Sequence, residues 1–300
     1  MAKAVYVGVG SKARKMKKAY IGIGGKARKV KKMYIGVGGK ARLCYSAEAD
    51  KFGMAASLSK ARSLLAGTTV GGYALFGGGG YDSDARKGEA IMDAYNASLT
   101  RTTATPLPSN AYACAGGTVG GYAVFSGGSS MNSDSTLVET IGALEIVRAY
   151  NSSLTSSQAA PLSCPRAVHS AATIGNHLLF AGGYNSTTGK YLSTVESYDA
   201  SLTRSTAVEL SSAKNGLASA TVGEYAMFAG GYKGNSDAAY VATVDAYNTA
   251  LTKTTMPDLS VGRHGLASAV IGDYALFAGG ISKISSTADK YQDVVDVYSA

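Results

Sequence analysis

The sequence predicts an all-β protein in two parts: a short arm of β-hairpins, then a wheel of five four-stranded sheets. Three observations carry this. A Tyr/His-x-x-Phe-x-Gly-Gly phrase recurs five times, each copy lies in a period holding four short apolar segments, and residues 1–45 repeat every 14 residues. The five phrases contain Phe76, Phe125, Phe180, Phe228 and Phe277, in steps of 49, 55, 48 and 49 residues. Before each comes a run of small residues, such as 265–272, and after each a loop and a Val-x-x-Tyr-Asn/Asp segment, as in 244–248. A Ser/Ala-Leu-Thr phrase centred on Leu99, Leu154, Leu202 or Leu251 follows in the fourth-strand neighbourhood. One four-stranded sheet can bury its two faces only against neighbouring sheets, so radial stacking with closure is expected. Small residues suit the crowded innermost strand, and Gly-Gly allows close backbone approach.

The arm is read from Tyr6, Tyr20 and Tyr34, which mark the 14-residue register. Tyr-Ile-Gly-Ile alternates large and small residues with the period of a strand. Gly24-Gly25 and Gly38-Gly39 supply turns, and the Lys/Arg run supplies the return strand. Isolated hairpins are marginal in water, so attachment or oligomerisation through Tyr6, Tyr20, Tyr34, Ile21 and Ile35 is expected. Charge divides at the same place. Residues 1–45 hold 13 of the 29 Lys and Arg and no acid, whereas the remainder holds 16 basic against 20 acidic residues. The predicted domains are therefore 1–45 and 46–300.

The hydrophobic-Phe-Gly-Gly ending, the Val-x-x-Tyr-Asn/Asp segment and a basic residue before the first strand (Arg62, Arg166, Lys214, Arg263) resemble kelch repeats. The resemblance covers residues 58–300 and implies a kelch-like β-propeller. It departs from the pattern where Leu replaces the usual fourth-strand Trp, and where the second repeat has no basic residue matching Arg62. The fifth repeat stops inside its third-strand phrase at 297–300, and 45–59 can be laid over 247–260 with a one-residue slip. Residues 48–57 are thus expected to close a five-bladed ring as an N-terminal strand.

Chemistry is sparse. Cys44, Cys114 and Cys164 are odd in number and widely spaced, which disfavours a disulfide framework or a zinc site. His177 replaces a repeat Tyr, and His169 and His264 come from different repeats, a weak basis for a metal centre. Gly77–Gly80 lacks the Lys-Ser/Thr of a phosphate loop. Asp93, Asp245 and Asp296 recur with the repeat, which argues for structural use. No cofactor, no metal and no enzymatic activity are expected. Tyr73, Tyr122, Tyr225 and Tyr274, with Tyr95, Tyr150, Tyr198, Tyr247 and Tyr298, are locked to the repeat and predicted to pack between sheets. Tyr81, Tyr184, Tyr191, Tyr232, Tyr240 and Tyr291 instead lie in the connections between second and third strands, which vary most in length. They are predicted to form a ligand-binding loop face, because Tyr in adaptable loops gives low-entropy contacts.

The tandem Tyr-Ile-Gly-Val-Gly-Gly-Lys-Ala-Arg units of 4–45 resemble tail-associated structural proteins of phages and prophages. That resemblance implies a virion component, assembled in the host cytoplasm without a signal peptide. The arm would attach to phage structural proteins or oligomerise, by analogy as a homotrimer, and the loops would bind a host surface glycan or protein. Nucleic acid is disfavoured as a partner and membrane insertion is not expected, because apolar runs are short. A cytoplasmic kelch-type protein-interaction scaffold and a mutarotase-like carbohydrate-active enzyme are the alternatives.

Overall fold

The computed structural model describes residues 55–80, 88–130, 142–234, 239–285 and 288–299, together with six backbone strands between Tyr6 and Ser46. The chain forms two compact units, Met1–Met54 and Ala55–Ala300.

The first unit holds three antiparallel hairpins, as the 14-residue period predicts. Strand β1 (Tyr6–Val9) pairs with β2 (Lys12–Lys15), β3 (Tyr20–Ile23) with β4 (Lys26–Lys29), and β5 (Lys32–Val37) with β6 (Lys40–Ser46). Each Tyr-Ile/Val-Gly strand thus returns along a Lys-Ala-Arg strand, Ile21 opposite Arg28 and Ile35 opposite Arg42. The side chains assigned to attachment (Tyr6, Tyr20, Tyr34, Ile21, Ile35) lie outside the described residues.

The second unit is a succession of antiparallel sheets, one per repeat. Sheet 1 contains β7 (Ala66–Val70), β8 (Tyr73–Gly77), β9 (Met92–Asn96) and β10 (Arg101–Thr103). Sheet 2 contains β11 (Ala115–Val119) and β12 (Tyr122–Ser126), then a two-residue hairpin of β13 (Ser129–Ser130) and β14 (Gly142–Ala143), then β15 (Val147–Tyr150) and β16 (Ser156–Gln158). Sheet 3 follows the same plan, with β17 (Ser170–Ile174), β18 (His177–Ala181), a loop hairpin of β19 (Tyr184–Asn185) and β20 (Lys190–Tyr191), β21 (Val195–Tyr198) and β22 (Arg204–Ala207). Sheet 4 has β23 (Ala218–Val222), β24 (Tyr225–Ala229), β25 (Val244–Tyr247) and β26 (Lys253–Met256). Sheet 5 has β27 (Ala267–Ile271), β28 (Tyr274–Ala278), a loop hairpin of β29 (Ile281–Ser285) and β30 (Ala288–Tyr291), and β31 (Val295–Ser299).

Local chemistry explains the elements. Gly71, Gly120, Gly175, Gly223 and Gly272 open the turn between first and second strands at positive φ. The third-to-fourth turn is built by Asn96, Asn151, Asp199 and Asn248, whose Oδ1 accepts backbone N–H groups two and four residues on. Those bonds hold Leu99, Leu154, Leu202 and Leu251 at φ near +60°. The recurring Leu is therefore a turn residue in the left-handed region, where only local side-chain bonding offsets the steric cost.

Successive sheets pack face to face in one repeated way. The second- and third-strand Phe and Tyr of each sheet enter the aliphatic face of the sheet before it. Phe125 and Tyr150 meet Leu75, Met92 and Ala94, and Phe277 and Tyr298 meet Met227, Val244 and Ala246. Phe180 with Tyr198, and Phe228 with Tyr247, do the same at the two junctions between. Within each pair the rings sit edge to face, centroids 5.7–6.0 Å apart.

A buried charge set fixes the sheets from inside. Glu196 of β21 receives Arg166 at 2.5 Å and Arg204, from the fourth strand, at 3.7 Å. Asp93 is held by Arg62 and Arg101, and Asp245 by Lys214 and Lys253. Ser59, Ser163 and Ser211 add backbone and hydroxyl donors to the same carboxylates. Burial pushes the Asp93 carboxyl up, but Ser59, Arg101 and Arg62 outweigh it and leave it below the usual carboxylate range. Sheet 2 replaces the set as a unit: Ala111 stands at the basic position, Arg148 at the acidic one and Ser156 at the third.

The closed five-bladed ring expected from the sequence is not formed. Among the described residues sheet 5 has three strands, in the order β27-β28-β31. Inner strands approach in the series β7, β11, β17, β23, β27, and no comparable approach joins β27 to β7. A chain of backbone bonds runs round the inner end, Ala113 N–H to Leu64 C=O, Val168 to Ala113, Gly216 to Val168 and Gly265 to Gly216. Among the described residues nothing closes it from Leu64 to Gly265. The predicted closing strand, 48–57, lies largely outside the described residues, and what is described of it serves sheet 1. The Ala56 carbonyl accepts the Tyr95 hydroxyl, as Ala160, Val208 and Pro257 accept Tyr198, Tyr247 and Tyr298. The faces that would make the closing junction stay apart: Ile271 and Val297 of sheet 5 are exposed, and Phe76 of sheet 1 is only half-buried.

Replacing Arg166 by Met leaves Glu196 buried without its main partner and is expected to cost about 3–5 kcal/mol. Arg166→Met combined with Glu196→Met should recover most of that loss, read as the urea midpoint of the two variants.

Candidate functional site: an aromatic patch beside the inner rim

The second-to-third-strand loops and the linkers before each first strand emerge at one end of the sheets, and single bridges tie them. Ala167 pairs with Tyr184, Asn215 with Tyr232 and His264 with Ile281. The Gly-Gly phrase makes this possible. The Gly183 N–H donates to the Lys214 carbonyl of the next sheet at 2.8 Å. A Cβ on Gly182 (φ 68°) would stand 2.6 Å from that oxygen, so only glycine admits the approach.

At the inner rim the linkers border a depression of about 240 Å³, lined by Leu64, Ala113, Val168, His169 and Leu266 among others. Equivalent positions are Leu65, Cys114, His169, Leu217 and Leu266, so His169 is a polar exception. Its Nε2 lies 2.8 Å from the Ser126 hydroxyl, and its buried Nδ1 has no partner. Burial, and then Arg166, push its pKa down to about 3, so the imidazole stays neutral near pH 7. Burial pushes the Cys114 thiol up to about 11, unsuited to a nucleophile. His177 is a sheet residue whose Nδ1 lies 3.1 Å from the Ser197 hydroxyl.

Four of the six loop tyrosines come together, two from the loop of sheet 3 and two from that of sheet 4. Tyr184 and Tyr191 are 5.0 Å apart, Tyr191 and Tyr232 5.7 Å, and Tyr232 and Tyr240 5.4 Å, centroid to centroid. His264 joins them, 5.6 Å from Tyr232 and 5.3 Å from Tyr240. All five rings are half-buried. The Tyr240 hydroxyl donates to Asp289 Oδ1 at 2.8 Å. Burial, reinforced by Asp289 and Tyr232, pushes the Tyr240 phenol up to about 12. Tyr191 is also raised, by burial and its two tyrosine neighbours. Burial lowers the His264 imidazole, with Asp289 opposing. The patch thus presents neutral rings, hydroxyls and one carboxylate. Tyr291 stands apart and exposed on β30, and Tyr81 lies outside the described residues. Asp289 escaped sequence reasoning, and His264 entered it only as a weak candidate metal ligand. His264 directly follows a basic repeat residue, and that offset was the available signal, since the next residue bridges to the loop in every repeat.

Among the described residues no group of three or more His, Cys, Asp or Glu lies close enough to hold a metal ion, and no helix is long and apolar enough to cross a membrane.

A family model for the kelch motif matches residues 165–201, the linker and first three strands of sheet 3. No curated protein matches the chain. Among solved structures the chain is similar to that of YjhT, at a TM-score of 0.62 and 15% identity over 82% of this chain and 89% of that one. These findings define the class: an all-β chain with a kelch motif and a repeated, multi-bladed sheet architecture of propeller type.

Two outcomes follow from the site. In a spectrophotometric titration of the full chain the Tyr240 phenolate should appear near pH 12, and Asp289→Asn should lower that midpoint by removing the carboxylate. His169 is depressed on folding, so its contribution is complete above the unfolded value near 6.5 and is lost as pH falls toward 3. The slope is at most about 1.4 kcal/mol per pH unit. Ser126→Ala with His169→Leu, the pairing of Ala229 and Leu266 elsewhere, should flatten that part of the stability–pH curve.

Proposed function

We propose that this chain is a kelch-type recognition module that binds a partner protein, without catalysis, through the Tyr184–Tyr191–Tyr232–Tyr240–His264 patch. The single supporting observation is that patch: five half-buried rings from three sheets, carried on loops whose bases are bonded to the rim. Tyrosines of this kind give large contact area at low entropic cost and dominate many interfaces. The raised Cys114 thiol and the neutral His169 offer no activated nucleophile beside it.

The tandem repeats of residues 4–45 favour a second, narrower reading. In it the module is a phage tail component, the arm docks on the particle and the partner is a host surface molecule. Support for it is the sequence resemblance alone.

A photo-crosslinking phenylalanine analogue at position 191 of the full chain, irradiated in cells, should give an adduct with one protein. Tyr232→Ala with Tyr240→Ala should weaken that capture at least tenfold, in keeping with loss of about 2 kcal/mol or more at a hot spot. Binding to a glycan array that free sugar competes away would replace the protein partner by a carbohydrate, and turnover of that sugar would make the chain an enzyme.

A further inference from the structure

The two end sheets carry unpaired halves of an interface that the chain builds four times. The aliphatic face of sheet 4, facing sheet 5, is closed: Val222 is 3% exposed, and Val244 and Ala246 are 0%. At the same register on sheet 5, Ile271 is 70% exposed, Val295 50% and Val297 54%. Tyr274, the counterpart of half-buried Tyr225, is 53% exposed. The opposite half is spare on sheet 1. Ala275 and Phe277 are fully buried against sheet 4, but their counterparts Ala74 and Phe76 are only half-buried. Thr118, Thr173 and Thr221 each donate a hydroxyl to the inner strand of the preceding sheet, whereas Thr69, at the same position on sheet 1, is exposed.

We propose that the aliphatic face of sheet 5 in one copy packs on the Phe76 face of sheet 1 in a second copy, continuing the series of sheets head to tail. The four internal junctions specify what the exposed face accepts. It takes an Ala-x-Phe second strand backed by a third-strand Tyr, and Ala74, Phe76 and Tyr95 provide that set, with the rings of Phe76 and Tyr95 already edge to face at 5.9 Å. A second copy is the occupant because this chain presents both halves in the register they use internally. The contact is heterologous, so copies add in one direction, into a ring if the rotation closes and a filament if it does not. The Tyr184–Tyr240 patch takes no part in it.

The test uses the full chain in light scattering after size exclusion, from about 1 to 100 µM. The wild type should grow in mass with concentration. Val297→Lys on sheet 5 and Thr69→Arg on sheet 1 replace exposed side chains, and each alone should give a monomer. Mixed one to one they should form a dimer and nothing larger, since one copy keeps its sheet 1 face and the other its sheet 5 face. Val295→Glu should behave as Val297→Lys does, which guards against a folding defect in one variant. A wild type that stays monomeric at the highest concentration overturns the proposal. So does association that survives in either variant alone, or a mixture that remains monomeric; a symmetric dimer between two sheet 5 faces would leave Thr69→Arg dimeric by itself.

Discussion

Everything in the second unit depends on a ring entering the aliphatic face of the preceding sheet. A four-stranded sheet with small inner residues has two apolar faces and no helix to cover either. Burying a phenylalanine contributes about 1.5–3 kcal/mol, more than a typical net hydrogen bond. Phe125, Phe180, Phe228 and Phe277 make that contribution at every junction, with a tyrosine set edge-on against each. The spacing of sheets, the approach of their glycines and the alignment of their loops follow from this contact.

The charge sets act on a different part of the problem. A buried carboxylate with two cations and a serine gives little net stability, because desolvation offsets attraction. What it adds is a tie between segments far apart in sequence. Glu196 links the linker residue Arg166, the third strand and the fourth-strand Arg204. Sheet 2 shows that the set is exchangeable as a whole, since Ala111, Arg148 and Ser156 change together while the packing of Phe125 and Tyr150 persists. Aromatic packing holds the sheets together; where the ions are present, they tie linker, third strand and fourth strand to one another.

The loop patch inherits its rigidity from that frame. Tyr184 and Tyr232 sit one residue past a Gly-Gly phrase and bridge to Ala167 and Asn215, so their backbone is fixed by the same contacts that join the sheets. Tyr191 and Tyr240 then complete the cluster from the returning side of each loop. Recognition chemistry is thus placed on loops, but at their anchored bases.

Much of this was legible in the residues. The Phe steps and Gly-Gly phrases mark the sheets, the 14-residue period marks the hairpins, and the variable connections carry six tyrosines, of which four touch. The basic residues and the recurring Asp were visible separately. Their pairing was not, because Arg166 and Glu196 lie 30 residues apart and meet only through strand order. The place of His264 among the tyrosines was hidden for the same reason, as its neighbours come from other loops. Ring closure was the point at which repetition misled. A periodic sequence determines that each sheet needs a neighbour, since both faces of every copy are apolar. Whether the last sheet meets the first depends on rotations accumulated over four junctions. Those are properties of packed side chains in three dimensions, and there the tertiary structure decided for an open series.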